Sequence, residues 1–185
     1  MGTEYLDGRP NVGLFEASPT NGLLTKGPNS DWAYDHSVNY GLHVKVVRKT
    51  ADQTVNNSIT LVAVDDLLWA VGASEVWAWD LYLYSNSSTV ADVKIGWAVP
   101  AASLLPWQGF GTNAAGSDDI FSALGSGSTP GLYGGGAAEM IFCGRGLYIG
   151  GANAGNVQLQ FAQNTAEVSD TKILANSCLI VAQLA

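Results

Sequence analysis

The side chains that most often carry acid–base chemistry are scarce in this sequence and poorly placed for it. There are two histidines, His36 and His43, and histidine is the usual general base near neutral pH. His36 directly follows Asp35, and adjacent residues rarely orient one another as a Ser-His-Asp triad requires. We therefore expect both histidines to make ordinary hydrogen bonds or to lie at the surface, and we expect no catalytic residue.

Carboxylates occur as two adjacent pairs, Asp65-Asp66 and Asp118-Asp119. The acid pair of a glycosidase lies about 5–9.5 Å apart on separate elements, whereas sequence neighbours usually point apart. Neither pair lies in the alternating loop of a calcium hand, and the glycine-rich run at 131–140 lacks the Lys-Ser or Lys-Thr of a phosphate loop. We expect turn and loop residues here, with no metal and no cofactor.

The two cysteines, Cys143 and Cys178, are both flanked by apolar residues. This setting favours buried free thiols, because an unpaired cysteine behaves as a small hydrophobic residue. A disulfide between neighbouring strands stays open, since pairing cannot be read from sequence. Without further ligands at useful spacing the two do not form a metal site, and we expect synthesis in a reducing cytoplasm.

Aromatic residues are the remaining candidates for a binding site. Four of the six tryptophans, at positions 69, 77, 79 and 97, fall in predicted strands and are expected in the core. Trp107 and Phe110 fall in a predicted long loop, with Tyr133 nearby. An aromatic beside glycine and amide groups suits a sugar-binding surface or a protein contact, although a tryptophan that only pins its loop is an alternative. These three residues form a candidate exposed recognition loop.

Composition limits the classes of partner. The chain has 185 residues, enough for one domain, and 8 basic against 16 acidic residues give a net charge of −8. An acidic surface argues against nucleic acid and against anionic lipid. No apolar stretch approaches the roughly 20 residues of a membrane helix, and the acidic first ten residues lack the pattern of a secretory signal.

Residues 1–42 differ in amino-acid composition and pattern from the rest of the chain. Gly, Pro, Asn and Ser recur every few residues, which is typical of an irregular segment. Apolar side chains still punctuate the segment, and those we assign to a binding arm are Tyr5, Leu6, Val12, Leu14, Phe15, Leu23, Leu24, Trp32 and Tyr34. Because a structureless stretch of this length is uncommon inside a compact domain, we predict an extended arm that lies on a partner rather than on its own domain.

From residue 43 to 185 the hydrophobic period is two, which predicts β-strands. The predicted strands cover 43–49, 58–64, 75–84, 90–99, 138–149, 157–161 and 177–184. Glycine runs favour an elaborated long loop over 100–136, with short strands inside it as an open alternative. No segment shows a long helical period. The chain is therefore predicted to be all-β, an antiparallel β-sandwich or jelly-roll-like module behind an extended N-terminal arm.

Three stretches resemble small virion proteins of tailed bacteriophages: a run from RKTADQTVNNSITL to WAWDLYLY, then KIGWAVPA, and the C-terminal GANAGNVQLQFAQ to SCLIVAQLA. The matching positions are 54–61, 75–77, 155–163 and 172–177. The resemblance covers about residues 48–185 and contains no catalytic signature. It implies a jelly-roll-like structural module of the virion, of the head-decoration or tail-fibre type.

Two functions follow as hypotheses. The first is a capsid decoration, or cement, protein, not an enzyme, which binds the major capsid protein on the outside of the head. We expect it to self-associate as a homotrimer and to stabilise the shell. The alternative is a tail-fibre or receptor-binding module whose recognition loop contacts host surface glycan. Either protein would be made in the host cytoplasm and reside in the virion.

Overall fold

The computed structural model of the protein describes residues 44–184, which form twelve β-strands and contain no helix. None of the described elements is therefore a helix that could cross a membrane. The predicted arm residues, from Tyr5 to Tyr34, and both histidines lie outside the described residues. The strands are β1 (Val44–Arg48), β2 (Gln53–Asn56), β3 (Val62–Val71), β4 (Val76–Asn86), β5 (Val93–Ala98), β6 (Trp107–Thr112), β7 (Asp118–Leu124), β8 (Gly131–Leu132), β9 (Met140–Ile149), β10 (Gly155–Gln163), β11 (Asp170–Ile173) and β12 (Cys178–Gln183).

The strands form two antiparallel sheets. The large sheet has the order β1-β12-β4-β9-β6-β7, and β11 joins it beside β4 and carries β2. The small sheet has the order β3-β10-β5-β8. Consecutive strands often lie in different sheets, as β9 and β10 do, so the chain crosses repeatedly between the two layers. The predicted all-β antiparallel sandwich is confirmed.

The core lies between the sheets and is built around four tryptophans. Trp79 and Trp107 come from the large sheet, and Trp69 and Trp97 from the small one. The Trp79 and Trp97 ring centroids are 4.8 Å apart, and Trp69 meets Trp97 edge-on at 6.0 Å. Rings at these distances and angles attract one another beyond their burial alone, so this cluster ties one sheet to the other.

Alternation in the sequence explains the central strands. In β10, Val157, Leu159 and Phe161 are fully buried, whereas Gln158 and Gln160 between them are partly exposed. In β4, Leu81 and Leu83 point into the core in the same way. Successive side chains of a strand point to opposite faces. A strand in which every second residue is apolar can therefore pack one face against the core.

The stretch 100–136, predicted as a long loop with short strands as the open alternative, contains β6, β7 and β8. The inward positions of β6 include Gly109 and Gly111, and the ring of Phe142 from β9 lies against both. A Cβ at Gly109 would lie 2.8 Å from Cε2 of Phe142 and 3.2 Å from the carbonyl oxygen of Cys143. The strand therefore needs glycine where sequence reasoning looks for a large apolar residue, which hides its period.

Two further strand predictions need correction. Of the strand expected over 58–64, residues 58–61 belong to the link after β2, and 62–64 begin β3, which continues to Val71. Asp65 and Asp66 do not end β3; they form a bulge in it, with Asp66 at φ 69°. The polar link before the last strand contains β11, whose Thr171 and Ile173 are fully buried.

Candidate functional site: the outer face of the large sheet

The carboxylate pairs make local structural contacts. Asp66 accepts hydrogen bonds from the backbone N–H of Thr50 at 3.0 Å and from its hydroxyl at 2.7 Å. These bonds hold the pKa of Asp66 below its ordinary value. Asp118 accepts a hydrogen bond from Thr112 at 3.1 Å, and both pairs lie in strands rather than in the expected turns. Within residues 44–184, no three His, Cys, Asp or Glu side chains lie together as a metal site.

A buried carboxylate at one end of the sandwich also has a structural contact. Asp92 is 6% exposed and accepts a hydrogen bond from the backbone N–H of Gly134 at 2.8 Å. Burial raises the pKa of this carboxyl, because removal from water disfavours its charged form. Beside it, the hydroxyls of Ser87 and Thr171 lie 2.6 Å apart. This polar network joins the link before β5 to the glycine run after β8.

The candidate recognition loop is not a loop, and its principal residue is not exposed. Trp107 lies in β6 with 4% of its surface exposed, and its indole N–H donates to the carbonyl of Gly125 at 3.0 Å. Phe110 is partly buried on the opposite side of β6, where the guanidinium of Arg145 lies 5.0 Å from its ring centroid. Tyr133 is partly buried just after β8. The predicted exposure of Trp107 is therefore wrong, because the inward parity of β6 turns this ring toward Trp79 and Trp97.

The most unusual surface of the described domain is the side of the large sheet that points away from the core. Nine of the thirteen exposed large apolar side chains lie on it. We call it the outer face. Its apolar members are Val44, Val46, Val76, Ala78, Tyr82, Tyr84, Leu104, Phe110, Ile120, Ile141, Cys143, Leu147, Ile149, Cys178, Ile180, Ala182 and Leu184, and its polar members are Arg48, Asp80, Gln108, Thr112, Asp118 and Arg145. Beyond this face the same side of the sheet continues toward β11 and is polar there, with Asn86, Asp170 and Lys172.

The strand register arranges these residues in rows across the sheet. Residues that are directly paired in neighbouring strands point to the same face, with Cβ atoms about 5 Å apart. The longest row runs Arg48, Cys178, Tyr82, Cys143, Phe110 and Ile120. The row beside it runs Val46, Ile180, Asp80, Arg145 and Gln108. Thr112 and Asp118, paired between β6 and β7, continue the row of Tyr84 and Ile141. The rows that contain Val44 and Leu184 have no charged side chain, so the charges of the face lie at its centre and at its edge strands.

The charges of the outer face are Arg48, Asp80, Asp118 and Arg145. Arg48 lies at the edge strand β1 and donates to the Asn176 side chain at 2.6 Å. Asp80 and Arg145 are direct neighbours across β4 and β9, but the guanidinium lies over Phe110 rather than on the carboxylate. Among residues 44–184, the only ion pair is that between Lys172 and Asp170.

The two cysteines lie on either side of Tyr82, Cys178 in β12 and Cys143 in β9. With one strand between them, their Cα atoms are about 10 Å apart, beyond the roughly 7 Å limit for a disulfide. Both are free thiols, and partial burial raises the pKa of Cys178. The open question of pairing is thus answered: the expected free thiols are confirmed, but they are only partly buried on the outer face.

Sequence reasoning assigned no role to the outer face, although the sequence carries a signal for it. In 76–84 both the even-numbered and the odd-numbered residues, which point to opposite faces of the strand, are apolar or aromatic apart from Asp80. A strand with one face in water alternates between apolar and polar residues, whereas a strand covered on both faces does not. The second apolar parity, here Val76, Ala78, Tyr82 and Tyr84, therefore indicates a second surface that is suited to contact.

Comparisons with known proteins give no family for this chain. No family model matches it, and no curated protein matches it. The tripod from the baseplate of bacteriophage Tuc2009 is similar over 98% of this chain and 80% of its own, at 9% identity and a TM-score of 0.36. A structure of infectious bursal disease virus strain Gx is similar over 76% of this chain and 40% of its own, at 11% identity and a TM-score of 0.25. TM-scores this far below 0.5 do not establish a shared fold.

Proposed function

We propose that this protein is a structural component of a virus particle and acts by protein–protein contact, as a capsid decoration (cement) protein of a bacteriophage head. The observation that supports action by protein–protein contact is the outer face, an apolar sheet surface at which Ile141 and Val46 are more than 60% exposed. Apolar patches of this kind mark interaction sites on folded proteins. The resemblance of residues 48–185 to small phage virion proteins gives the class of assembly.

The proposal divides the work between two parts of the chain. Residues 1–42, with apolar anchors such as Leu14, Phe15 and Trp32, bind the major capsid protein on the outside of the shell. The sandwich of residues 43–185 stands outward. A ligand that binds only the assembled shell stabilises that shell by RT ln(1 + [L]/Kd), about 2.7 kcal/mol per site at a hundredfold excess over Kd. No catalytic step is needed for this function.

The test is to localise the full chain on its parent particle and to measure its binding there. We expect density that repeats over the head in cryo-electron microscopy, and a heat-induced loss of shell integrity at lower temperature in particles stripped of the protein. Phe15→Ser combined with Trp32→Ser should weaken rebinding to stripped shells. Val168→Ser, a change at an exposed site between β10 and β11, is the control and should not.

Other outcomes would count against this function. Density confined to the tail would favour the alternative, a tail-fibre or receptor-binding module that contacts host surface glycan. The aromatic residues on which that alternative relies are not free to contact glycan, since Trp107 is buried and Phe110 is covered by Arg145. Absence of the protein from the particle would refute both.

A further inference from the structure

We propose that the outer face of the large sheet binds a second copy of this chain, so that the protein is a closed homo-oligomer held together through this face. The inference does not depend on the virion function. It rests on the extent of the apolar surface, on the arrangement of its charges and on the absence of any described segment that covers it.

The size of the face suits an interface between proteins. Its residues form five rows about 6.7 Å apart, on average four strands wide at about 4.8 Å per strand, which gives a plan area on the order of 600 Å². This area includes the charged side chains, so its apolar part falls within the range of the largest apolar patches on monomers, about 300–600 Å². The whole area approaches the roughly 800 Å² that each partner contributes to a standard interface. A sheet face of this extent packs well on another sheet, as the two layers of a sandwich do.

The charges argue for a copy of the same chain as the occupant. Asp80 and Arg145 are adjacent at the centre of the face, and the carboxylate of Asp80 has no hydrogen-bond or ion-pair partner among the described residues. Covering Asp80 with an apolar partner would leave a buried unpaired charge, which is strongly unfavourable. A symmetry-related copy brings its own Arg145 to Asp80, and its Asp80 to Arg145, so the face complements itself.

The central experiment measures the mass of the full chain in solution as a function of concentration. We expect a dimer, because reciprocal contacts between Asp80 and Arg145 of two copies require a twofold axis, and a trimer would count against the proposal. Asp80→Arg and Arg145→Asp, each alone, should weaken association at least about tenfold because like charges then face each other across the interface. The double variant Asp80→Arg with Arg145→Asp restores opposite charges and should restore the oligomer. A wild-type monomer throughout, or single variants that associate like the wild type, would overturn the proposal.

A matched pair of substitutions tests the apolar part of the face. Val46→Arg places a charge on the outer face at a side chain that is 62% exposed, and Val168→Arg makes the same change at a side chain that is 77% exposed away from it. The first should give a monomer and the second should keep the oligomer. Since both sites are exposed, both variants should fold, which the fluorescence of the buried tryptophans checks. An oligomer that survives Val46→Arg uses another surface, and that result would refute the proposal.

The native cysteines give an independent readout without mutation. Cys143 and Cys178 are on the outer face and each is partly exposed in one chain. In the oligomer their alkylation by iodoacetamide should be slowed at least about tenfold relative to the Val46→Arg monomer. Equal rates would contradict the proposal. A chain that forms the oligomer but fails to bind shells would refute the capsid function alone, so the two proposals can fail separately.

Discussion

The substitution Gly109→Ala tests whether 107–112 is a core strand rather than a loop. The added methyl would overlap the ring of Phe142, and that ring cannot retreat. It is 3% exposed and lies edge-on to Phe121 at 5.7 Å and to Trp107 at 6.5 Å. Overpacking of a core costs about 1–3 kcal/mol of stability. Because neighbouring rings hold Phe142 in place, we expect a loss in the upper part of this range, about 2–3 kcal/mol. For a protein of this size 1 kcal/mol changes Tm by about 2–4 °C, so Tm should fall by about 4–12 °C.

The assay is urea and thermal unfolding followed by tryptophan fluorescence. Gly127→Ala is the control, because a Cβ there would have no neighbour within 4 Å, and it should change the free energy of unfolding little. Phe142→Leu should relieve the overlap, so the double variant with Gly109→Ala should lose less than the sum of the two single losses, by about 0.5–3 kcal/mol. If Gly109→Ala unfolds like the wild type, β6 does not lie against Phe142 and the packing described here is wrong.

Three further changes probe the core and the two carboxylates. Trp97→Ala, which removes the ring shared by the tryptophan cluster, should lower the free energy of unfolding by about 3–5 kcal/mol in urea titrations. Because the pKa of Asp92 is raised in the folded protein, stability should fall as pH rises from about 3.8 through that pKa. Asp92→Asn, whose amide oxygen still accepts from Gly134, should remove this component from the pH dependence of unfolding. For Asp66 the sign is reversed: its lowered pKa gives stability that is present above about 3.8 and lost as pH falls through the folded value. Thr50→Ala should therefore raise that pKa, which carboxyl titration by NMR measures.

Much of the fold can be predicted from the sequence wherever the apolar side chains of a strand itself show the alternation with a period of two. The strands β4, β5 and β10 are predictable because large apolar residues occupy most inward positions, as Val157, Leu159 and Phe161 do in β10. The stretch 107–112 fails the same test because Gly109 fills an inward position with no side chain. The volume is supplied by Phe142, about thirty residues later. Where a side chain from a distant strand fills the space at an inward glycine, the alternation of apolar residues cannot be recognised from the neighbouring sequence alone.

The candidate site was harder to predict than the fold. The alternation rule assigns one face of a strand to the core and leaves the other to water, so Tyr82 and Ile141 read as incidental apolar residues. Only the strand order brings them together, since β4 and β9 become neighbours although more than fifty residues separate them. The rule also misplaced Trp107, because an aromatic between proline and glycine is typical of loops.

The two proposals, if both hold, are linked through effective concentration. A dimer formed through the outer face carries one copy of residues 1–42 per chain, so it presents two shell-binding arms together. Linked modules can raise overall affinity by about 10²–10⁴ without a new contact, when geometry permits simultaneous binding. The outer face would then contribute to shell binding without touching the shell. Its central Asp80 and Arg145 would determine how many arms act together, while the buried tryptophans determine whether the domain folds.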